Sequence, residues 1–328
     1  MRVFVRSAGF LASVQDLGRT GYRQSGISIG GALDSHALRV ANALVGNEDS
    51  VAGLEATLGN LRLRFDDPRV VAWCGGAFVV TIGGENLPPG HAGLVAKDEE
   101  LVMTAPQAGS RAWLAISGGI DVPLVLGSRS TDLRGNFGGH EGRALRDGDR
   151  LPLGESSVLP GRAIKMFGSR RIAEWTAPSA WVTTAARDRF LRIIQGPEWA
   201  RFTAEAQSAF VAAPFTVTMD SDRMGARLDG PDLRRLDPRD LLSEAVTPGT
   251  LQVPPNGKPI LLLGDCQTIG GYPKIAHVIT VDLPIAAQLW PGDIVRFHEV
   301  SLAEAQELLR ERESDFARFR VGLSLQLS

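Results

Sequence analysis

Residues 264–274 combine the kinds of side chain that a polar active site uses. The stretch supplies a carboxylate, an amide, a hydroxyl, a phenol and an ammonium from Asp265, Gln267, Thr268, Tyr272 and Lys274. The adjacent Gly270 and Gly271 let the backbone approach a ligand or another chain segment closely, because no Cβ intervenes. A substrate loop is one interpretation. A solvated hairpin built from turn-forming residues is the other.

A second polar cluster occupies residues 14–26. It contains Gln15, Asp16, Arg19 and Tyr22 among three glycines. Arginine presents a planar fork of donors that suits a carboxylate or a phosphate. The cluster therefore predicts anion binding, unless Asp16 and Arg19 pair with each other and only brace a loop.

Two further stretches carry cations or backbone amides suited to an anion. Residues 127–143 are rich in glycine and include Asn136, and their backbone amides could cradle an anion. Residues 221–230 contain Arg223, and Glu244 follows in the chain, which suits a carboxylate or a partner surface. A loop without a ligand and a surface ion pair are the respective alternatives.

Several well-known chemistries have no motif in this sequence. There is no phosphate-binding loop ending in Gly-Lys-Ser/Thr, no His-Glu-x-x-His and no Gly-x-Ser-x-Gly. Five scattered histidines and two cysteines show no metal-ligand spacing, so we expect no metal site. Cys266 could be a nucleophile, but no base is recognisable beside it.

Composition and charge narrow the class of protein. The 328 residues suggest about two domains, and a net charge of −2 offers no basic surface for nucleic acid. No apolar run reaches the ~18 residues that a membrane helix needs. Residues 1–7 alternate like a strand and lack the apolar core of a signal peptide. We expect a cytoplasmic protein.

The chain reads mostly as short strands. The 37 glycines and 19 prolines favour turns over long helices. Predicted strands are 79–82, 101–104, 113–116, 215–219, 260–263, 277–281 and 294–298. Asp34 or Ser35 is predicted to cap one helix and Ser301 with Glu304 another. Many strands with few helices indicate barrels or sandwiches.

The two halves of the chain echo one another. Residues 54–63 resemble 243–253, residues 2–5 resemble 192–195, and residues 81–84 recur as 268–271. The three matches keep the same order and nearly the same offset. They indicate a duplicated domain with a join near residues 156–190.

The motifs taken together resemble one known family. They are residues 14–19, 24–28, 31–34, 41–47, 54–59, 117–123, 138–143, 222–225, 243–249 and 267–274. In this order they are similar to the allophanate hydrolase subunit 2-like family, also called the biotin-dependent carboxyltransferase or KipA-like family. The resemblance covers essentially the whole chain. It implies a mainly β fold of two tandem cyclophilin-like β-barrel domains, residues 1–165 and 166–328, with a few short helices.

The resemblance also implies an activity and partners. Residues 23–28 and 31–34 look most like family members that serve in bacterial 5-oxoprolinase. Such members work with an A-like and a B-like (KipI-like) subunit to open the lactam of 5-oxo-L-proline to L-glutamate with ATP. One alternative is carboxyl transfer from biotin carried by a partner, as in urea carboxylase. Another is a regulator that binds a kinase-inhibitor partner without catalysis.

Residue type and loop position suggest roles for individual side chains. Expected catalytic residues are Asp16, Glu55, Arg223, Glu244, Asp265 and Lys274. Expected substrate-binding residues are Gln15, Arg19, Tyr22, Asn136, Gln267, Thr268, Gly270, Gly271 and Tyr272. Two positions depart from the family pattern, namely Cys266 in place of arginine and Thr20 in place of proline. The first departure argues against Cys266 as a required nucleophile.

Overall fold

The contacts within the chain divide it into two compact units. A computed structural model describes residues 1–156, 167, 170–182, 188–237, 239 and 241–327. Unit 1 comprises Met1–Arg19, Gly30–Ala185 and Asp315–Ser328, and unit 2 comprises Thr20–Ile29 and Ala186–Ser314. The predicted domain boundary at residues 165/166 lies outside the described residues.

Unit 1 is built from two antiparallel sheets that share one apolar core. Its described strands are β1 Arg2–Ala8, β2 Leu11–Gln15, β3 Gly53–Thr57, β4 Leu61–Phe65, β5 Arg69–Gly75, β6 Val80–Ile82, β7 Glu85–Asn86, β8 His91–Val95, β9 Glu100–Met103, β10 Arg111–Ile116, β11 Arg150–Pro152 and β12 Ile172–Thr176. One sheet has the order β11-β1-β4-β9-β6-β7 and the other β12-β8-β5-β10-β3-β2. Side chains that alternate along these strands, such as Val3 and Val5, fill the core between them.

One helix covers the second sheet of unit 1. Helix α1 spans Ser35–Leu44 and lies against β5 and β10, which are buried along their whole length. Asp34 caps the helix, its Oδ1 accepting a hydrogen bond from the backbone N–H of Ala37 at 2.8 Å. The chain leaves the helix through Gly46 at φ 75°. The predicted cap of this helix at Asp34 is confirmed.

Unit 2 contains a closed barrel. Its described strands are β13 Asp188–Gln195, β14 Phe215–Val217, β15 Gly225–Asp229, β16 Glu244–Ala245, β17 Thr250–Gln252, β18 Ile260–Leu262, β19 Ile269–Gly270, β20 Lys274–Val278 and β21 Ile294–Glu299. Seven of them close in the order β13-β20-β17-β18-β15-β14-β21, with β13 and β21 parallel. The remaining two, β16 and β19, form a separate two-stranded ribbon. The prediction of a mainly β, barrel-based fold is confirmed.

The described helices other than α1 are α2 Ser179–Val182, α3 Ala204–Ala212, α4 Leu283–Ala286, α5 Leu302–Leu327 and the 3-10 turns Arg23–Ser25, Trp199–Arg201 and Thr280–Asp282. Helix α3 inserts Phe210 into the barrel core, where its ring stacks on Phe297 at a centroid distance of 4.6 Å. Helix α5 begins at the predicted capping box but, at 26 residues, is far longer than the short helices expected.

Among the described residues, no helix has both the length and the apolar character needed to span a bilayer.

One predicted strand was placed wrongly. Residues 277–281 were expected to be extended, whereas β20 is Lys274–Val278 and a 3-10 turn follows at Thr280–Asp282. The strand ends early because the chain turns directly after it, where the backbone N–H of Asp282 donates to the carbonyl of Ile279 at 2.9 Å. It begins early because Lys274 pairs with Gln252 of β17. The shift brings Lys274 into the barrel wall.

The cap of α1 provides a test of the helix that supports unit 1. We expect Asp34→Ala to lower the free energy of unfolding by about 1 kcal/mol or more, because the first turn loses its side-chain acceptor. Asp34→Asn retains a capping oxygen and is the matched control. Urea denaturation of both variants measures the difference, and equal midpoints for alanine and asparagine would contradict the assigned cap.

Candidate functional site

The polar loop 264–274 joins two barrel strands of unit 2, β18 and β20. Midway along, its short strand β19 pairs with β16, so that Glu244 faces Gly270 and Ala245 faces Ile269. We call these four residues the ribbon. The ribbon brings Glu244, which is distant in sequence, to the end of the loop where Lys274 enters the barrel.

Lys274 is a buried ammonium held by two carboxylates. Its side chain is only 6% exposed, and its Nζ lies 2.7 Å from Glu244 Oε2 and 3.4 Å from Glu198 Oε1. Its backbone N–H also donates to Glu198 Oε2 at 2.8 Å. We call Lys274, Glu198 and Glu244 the lysine cluster. It unites two predicted site residues with one, Glu198, that sequence reasoning missed.

The charges of the lysine cluster hold one another in the ionised state. Burial alone lowers the pKa of Lys274, but the hydrogen bond to Glu244 and the charge of Glu198 raise it above the ordinary lysine value. The same hydrogen bond lowers the pKa of Glu244. Near neutral pH the cluster therefore contains an ammonium between carboxylates and not a neutral amine. Lys274 is a fixed positive charge and hydrogen-bond donor there, and not a nucleophile.

A second cation of unit 2 is held in the same manner. Arg223 donates from Nε to Asp265 Oδ2 at 2.7 Å and from Nη2 to Asp265 Oδ1 at 3.1 Å. Both side chains are less than a tenth exposed. Two parallel hydrogen bonds orient the plane of the guanidinium as well as its charge. The pair joins the polar loop to the segment that contains Arg223.

Gln252 is the internal support of the polar loop. It is 1% exposed, accepts a hydrogen bond from Gln267 Nε2 at 3.2 Å and donates to the carbonyl of Tyr272 at 3.2 Å. Gly270 lies against the same amide, with room for no side chain of its own. Sequence reasoning missed Gln252, although an amide inside an apolar strand was a usable signal. The paired polar groups of Gln252 fix both ends of β19.

The remaining predicted residues of the loop lie at its surface or shape it. The phenol-bearing Tyr272 is 42% exposed, whereas Thr268 is buried and its carbonyl accepts from the backbone N–H of Val246 at 3.1 Å. A Cβ on Gly271 would come within 2.9 Å of the carbonyl oxygen of Leu241. The absence of a side chain at Gly271 therefore permits the close approach of two backbone segments.

Cys266 lies beneath the ribbon. It packs with Val246 and Leu262 in a small apolar cluster and is 3% exposed. Burial raises the pKa of its thiol to about 11. The thiol is therefore protonated near neutral pH, which does not suit a nucleophile.

His277 is a half-buried group that sequence reasoning missed. Its Nδ1 lies 3.2 Å from Thr250 Oγ1. Burial lowers its pKa, and so does the charge of Lys274. The imidazole next to the lysine cluster is thus neutral at physiological pH, so it adds no second positive charge.

Asp16 of unit 1 is saturated by hydrogen bonds from its own unit. Its carboxylate accepts from Ser128 Oγ at 2.6 Å, Ser130 Oγ at 2.5 Å, the backbone N–H of Arg129 at 2.6 Å and that of Gly18 at 2.8 Å. Four donors occupy both oxygens. The geometry is that of a brace which joins the end of β2 to residues 128–130.

Gln15 and Arg19 flank this brace. Gln15 is fully buried and donates from Nε2 to Ser13 Oγ at 2.9 Å and to the carbonyl of Thr131 at 3.2 Å. Arg19 is 1% exposed, donates to the carbonyl of Ser130 and lies 4.6 Å above the ring of Phe137. Both side chains thus hold the 128–137 segment against β2.

Glu55 is a buried carboxylate at the centre of β3. It is 2% exposed, and its Oε2 accepts from the backbone N–H of Leu33 and from Trp113 Nε1, each at 2.9 Å. The remaining two predicted residues differ in exposure. Asn136 is exposed at φ 54° in its glycine-rich loop, while Tyr22 is half-buried in the segment 20–29 that belongs to unit 2.

The structure therefore gathers part of the predicted set. Within unit 2 it joins Lys274 with Glu244, Arg223 with Asp265, and Gln267 with the Tyr272 carbonyl through Gln252. Within unit 1 it joins Gln15, Asp16 and Arg19 through residues 128–131. Among the described residues, no group of three His, Cys, Asp or Glu side chains is arranged to hold a metal ion.

Comparison with known proteins identifies the family. Residues 25–299 match the model of the carboxyltransferase domain, subdomains A and B. The chain belongs to this family. It is 40% identical over 313 residues to the C-type subunit of 5-oxoprolinase from Escherichia coli K12, with 94% of each chain covered. It is 36% identical to the subunit of the same name from Haemophilus influenzae, with 92% of each covered.

A solved structure extends the likeness to larger enzymes. The urea carboxylase of Kluyveromyces lactis superposes with a TM-score of 0.88 at 30% identity, over 97% of this chain and 29% of that one. The chain thus corresponds to less than a third of that enzyme. The resemblance inferred from the motifs is confirmed at the level of family and fold.

The lysine cluster makes stability depend on pH in a specific way. We expect Lys274→Met to lower the free energy of unfolding at pH 7 by about 2 kcal/mol, because Glu198 loses a charged partner. Lys274 lowers the pKa of Glu244 below the ordinary glutamate value. The share of Glu244 in the pairing is therefore present at neutral pH and is lost as the pH falls through that lowered pKa.

The difference between wild type and Lys274→Met should therefore shrink as pH falls towards 3. Thermal unfolding at a series of pH values measures it. Lys97→Met, at an exposed lysine, is the matched control and should leave stability unchanged. A gap that stays constant across the acid range would show that the ion pair contributes nothing.

Proposed function

We propose that this chain is the C-type subunit of an ATP-dependent 5-oxoprolinase, which opens the lactam of 5-oxo-L-proline to L-glutamate. The similarity to two proteins named as C-type subunits of 5-oxoprolinase supports the proposal, since it spans at least 92% of every chain compared. The single structural observation that carries it is the lysine cluster, a buried ammonium beneath an exposed carboxylate.

Opening a lactam requires help at the amide oxygen, because an unstrained amide is a poor electrophile. Lys274 Nζ has three N–H donors, and Glu198 and Glu244 are the two carboxylates that face it in the described chain. Its third donor is suited to an oxygen of the substrate. A donor held in place before the reaction stabilises developing negative charge without reorganisation.

Glu244 supplies the complementary function at the surface of the same cluster. Its side chain is 63% exposed, and Lys274 lowers its pKa. We assign it to orienting water or a substrate N–H, a role for an ionised carboxylate. Arg223, oriented by Asp265, is assigned to the substrate carboxylate, and Gln267 with Tyr272 to neutral hydrogen bonds.

The other predicted residues are assigned to support. Asp16 and Glu55 each accept hydrogen bonds that hold their own unit together, so we assign them to positioning and not to proton transfer. Thr268, Gly270 and Gly271 shape the ribbon by close backbone contacts. Gln15 and Arg19 are buried and are likewise assigned to support within unit 1. The binding roles of Tyr22 and Asn136 stay predictions.

Lys274 and Arg223 do not suit the triphosphate of ATP. Lys274 is paired with Glu198 and Glu244 and Arg223 with Asp265, whereas a triphosphate requires positive charge in excess. The proposal therefore assigns the nucleotide to an A-like or B-like companion subunit in the cytoplasm, where ATP is abundant. The residues of this chain are accordingly assigned no contact with ATP.

Carboxyl transfer from a biotin-bearing partner is the second candidate. The specific observations that favour it are the carboxyltransferase family model and the likeness to a urea carboxylase with a TM-score of 0.88. An ammonium at an amide oxygen would serve either chemistry. The two candidates differ in what they consume, since carboxyl transfer consumes bicarbonate with ATP to form carboxybiotin on a partner and regenerates the biotin.

Reconstitution tests the proposal. The chain, mixed with its A-like and B-like partners, 5-oxoproline and ATP, should form glutamate and ADP together only when all three proteins are present. Lys274→Ala and Arg223→Ala should each reduce turnover by about 100-fold or more, because each removes a preorganised cation. Lys97→Ala, at an exposed lysine, should turn over like wild type.

Two outcomes would contradict the proposal. If active partner preparations make no glutamate with the wild-type chain, the oxoprolinase assignment is wrong and carboxylation of urea-like amides with biotinylated protein and bicarbonate becomes the next assay. If glutamate forms but Lys274→Ala turns over normally while folded, the lysine cluster is not part of the site.

A further inference from the structure

A short segment from the beginning of the chain forms part of unit 2. Residues Thr20–Ile29 group with unit 2 by their contacts, although the residues on either side belong to unit 1. The segment contains a 3-10 turn at Arg23–Ser25, which ends at Gly26 with φ 79°. This turn presents one long cationic side chain, Arg23, to the ribbon.

Arg23 hydrogen-bonds to the two residues that flank the ribbon at one end. Its Nη2 donates to the carbonyl of Val246, which follows β16, and to the carbonyl of Thr268, which precedes β19, at 3.3 Å for the latter. The two backbones are joined there by one further bond, from Val246 N–H to the Thr268 carbonyl at 3.1 Å. A single guanidinium nitrogen therefore spans the end of the ribbon.

The ribbon needs such support because it is short. Each strand has two residues, and an isolated two-stranded pairing is marginal at best in water. The ribbon residues Glu244 and Ala245 are exposed, and the apolar contact beneath consists of Val246 against Cys266 and Leu262. A hydrogen bond from a charged donor is worth more than a neutral one.

We propose that Arg23 is a positioning residue that clamps the ribbon and thereby holds Glu244 opposite Lys274. We call the hydrogen bonds from Arg23 to the carbonyls of Val246 and Thr268 the clamp. The clamp itself follows from these contacts, whereas its effect on turnover rests on the proposed function. Arg23 contacts two backbone carbonyls and acts through Glu244, so it is not a catalytic residue. Loss of the clamp should leave the barrel intact while the ribbon opens.

Two readouts report the clamp without any assay of activity. Hydrogen exchange, followed by mass spectrometry of peptides covering residues 244–250 and 266–274, reports opening of the ribbon. Alkylation of Cys266 by iodoacetamide reports the same event, because the thiol is 3% exposed beneath Val246. Cys74 is fully buried in unit 1 and serves as the internal reference.

Arg23→Ala should speed both exchange in these two peptides and alkylation of Cys266 by about tenfold, with Cys74 and peptides of unit 1 unchanged. Arg23→Lys should restore much of the protection, because one ammonium can donate to both carbonyls. Arg227→Ala, at an exposed arginine of β15, is the matched control. Unchanged exchange and alkylation in Arg23→Ala would overturn the clamp.

Turnover in the reconstituted complex provides the functional arm. Arg23→Ala should lower kcat by about 10- to 100-fold with a smaller change in KM, and Arg23→Lys should recover part of it. A normal kcat in an Arg23→Ala protein whose ribbon has opened would refute the link to Glu244. If the wild-type complex forms no glutamate, the proposed function is refuted. Hydrogen exchange and alkylation of Cys266 still show whether Arg23 holds the ribbon closed.

If Arg23→Ala does not fold, Arg23→Gln takes its place. Its neutral, shorter side chain cannot span both carbonyls and should open the ribbon in the same peptides. Protection equal to wild type in Arg23→Gln would likewise overturn the proposal.

Discussion

The ion pairing of Lys274 is the constraint on which the arrangement of unit 2 depends. An ammonium that is 6% exposed is stable only with carboxylates beside it, and the two that it has come from distant parts of the sequence. Glu198 reaches it from the turn after β13, and Glu244 from the ribbon. Satisfying one buried charge thus fixes where a turn, a loop and a ribbon must meet.

The two units use buried carboxylates for different ends. Asp16 and Glu55 of unit 1 accept hydrogen bonds from the backbone and from neutral side chains, and so hold segments of their own unit together. The carboxylates around Lys274 and Arg223 pair with cations instead. The internal echo of the sequence aligns Glu55 with Glu244, yet one is 2% exposed and the side chain of the other 63%. The same residue type at matching positions is therefore a buried hydrogen-bond acceptor in one unit and an exposed partner of a cation in the other.

Sequence patterns were sufficient for the features that depend on local chemistry. The cap at Asp34, the capping box before α5, three of the seven barrel strands and the clustering of polar residues at 264–274 all follow from short-range rules. Features that depend on long-range partners were missed. Gln252 and Glu198 carry no motif, and Arg23 lies in one that does not show which groups it contacts. Their roles arise only when β17, the turn after β13 and residues 20–29 meet the loop. The early start of β20 was missed for the same reason.

The membership of residues 20–29 in unit 2 and of 315–328 in unit 1 has a genetic consequence. A gene divided at the junction between the halves would encode two fragments. The N-terminal fragment would lack residues 315–328 of unit 1, and the C-terminal fragment would lack residues 20–29 of unit 2. Recombination at that point would not shuffle these units as independent modules.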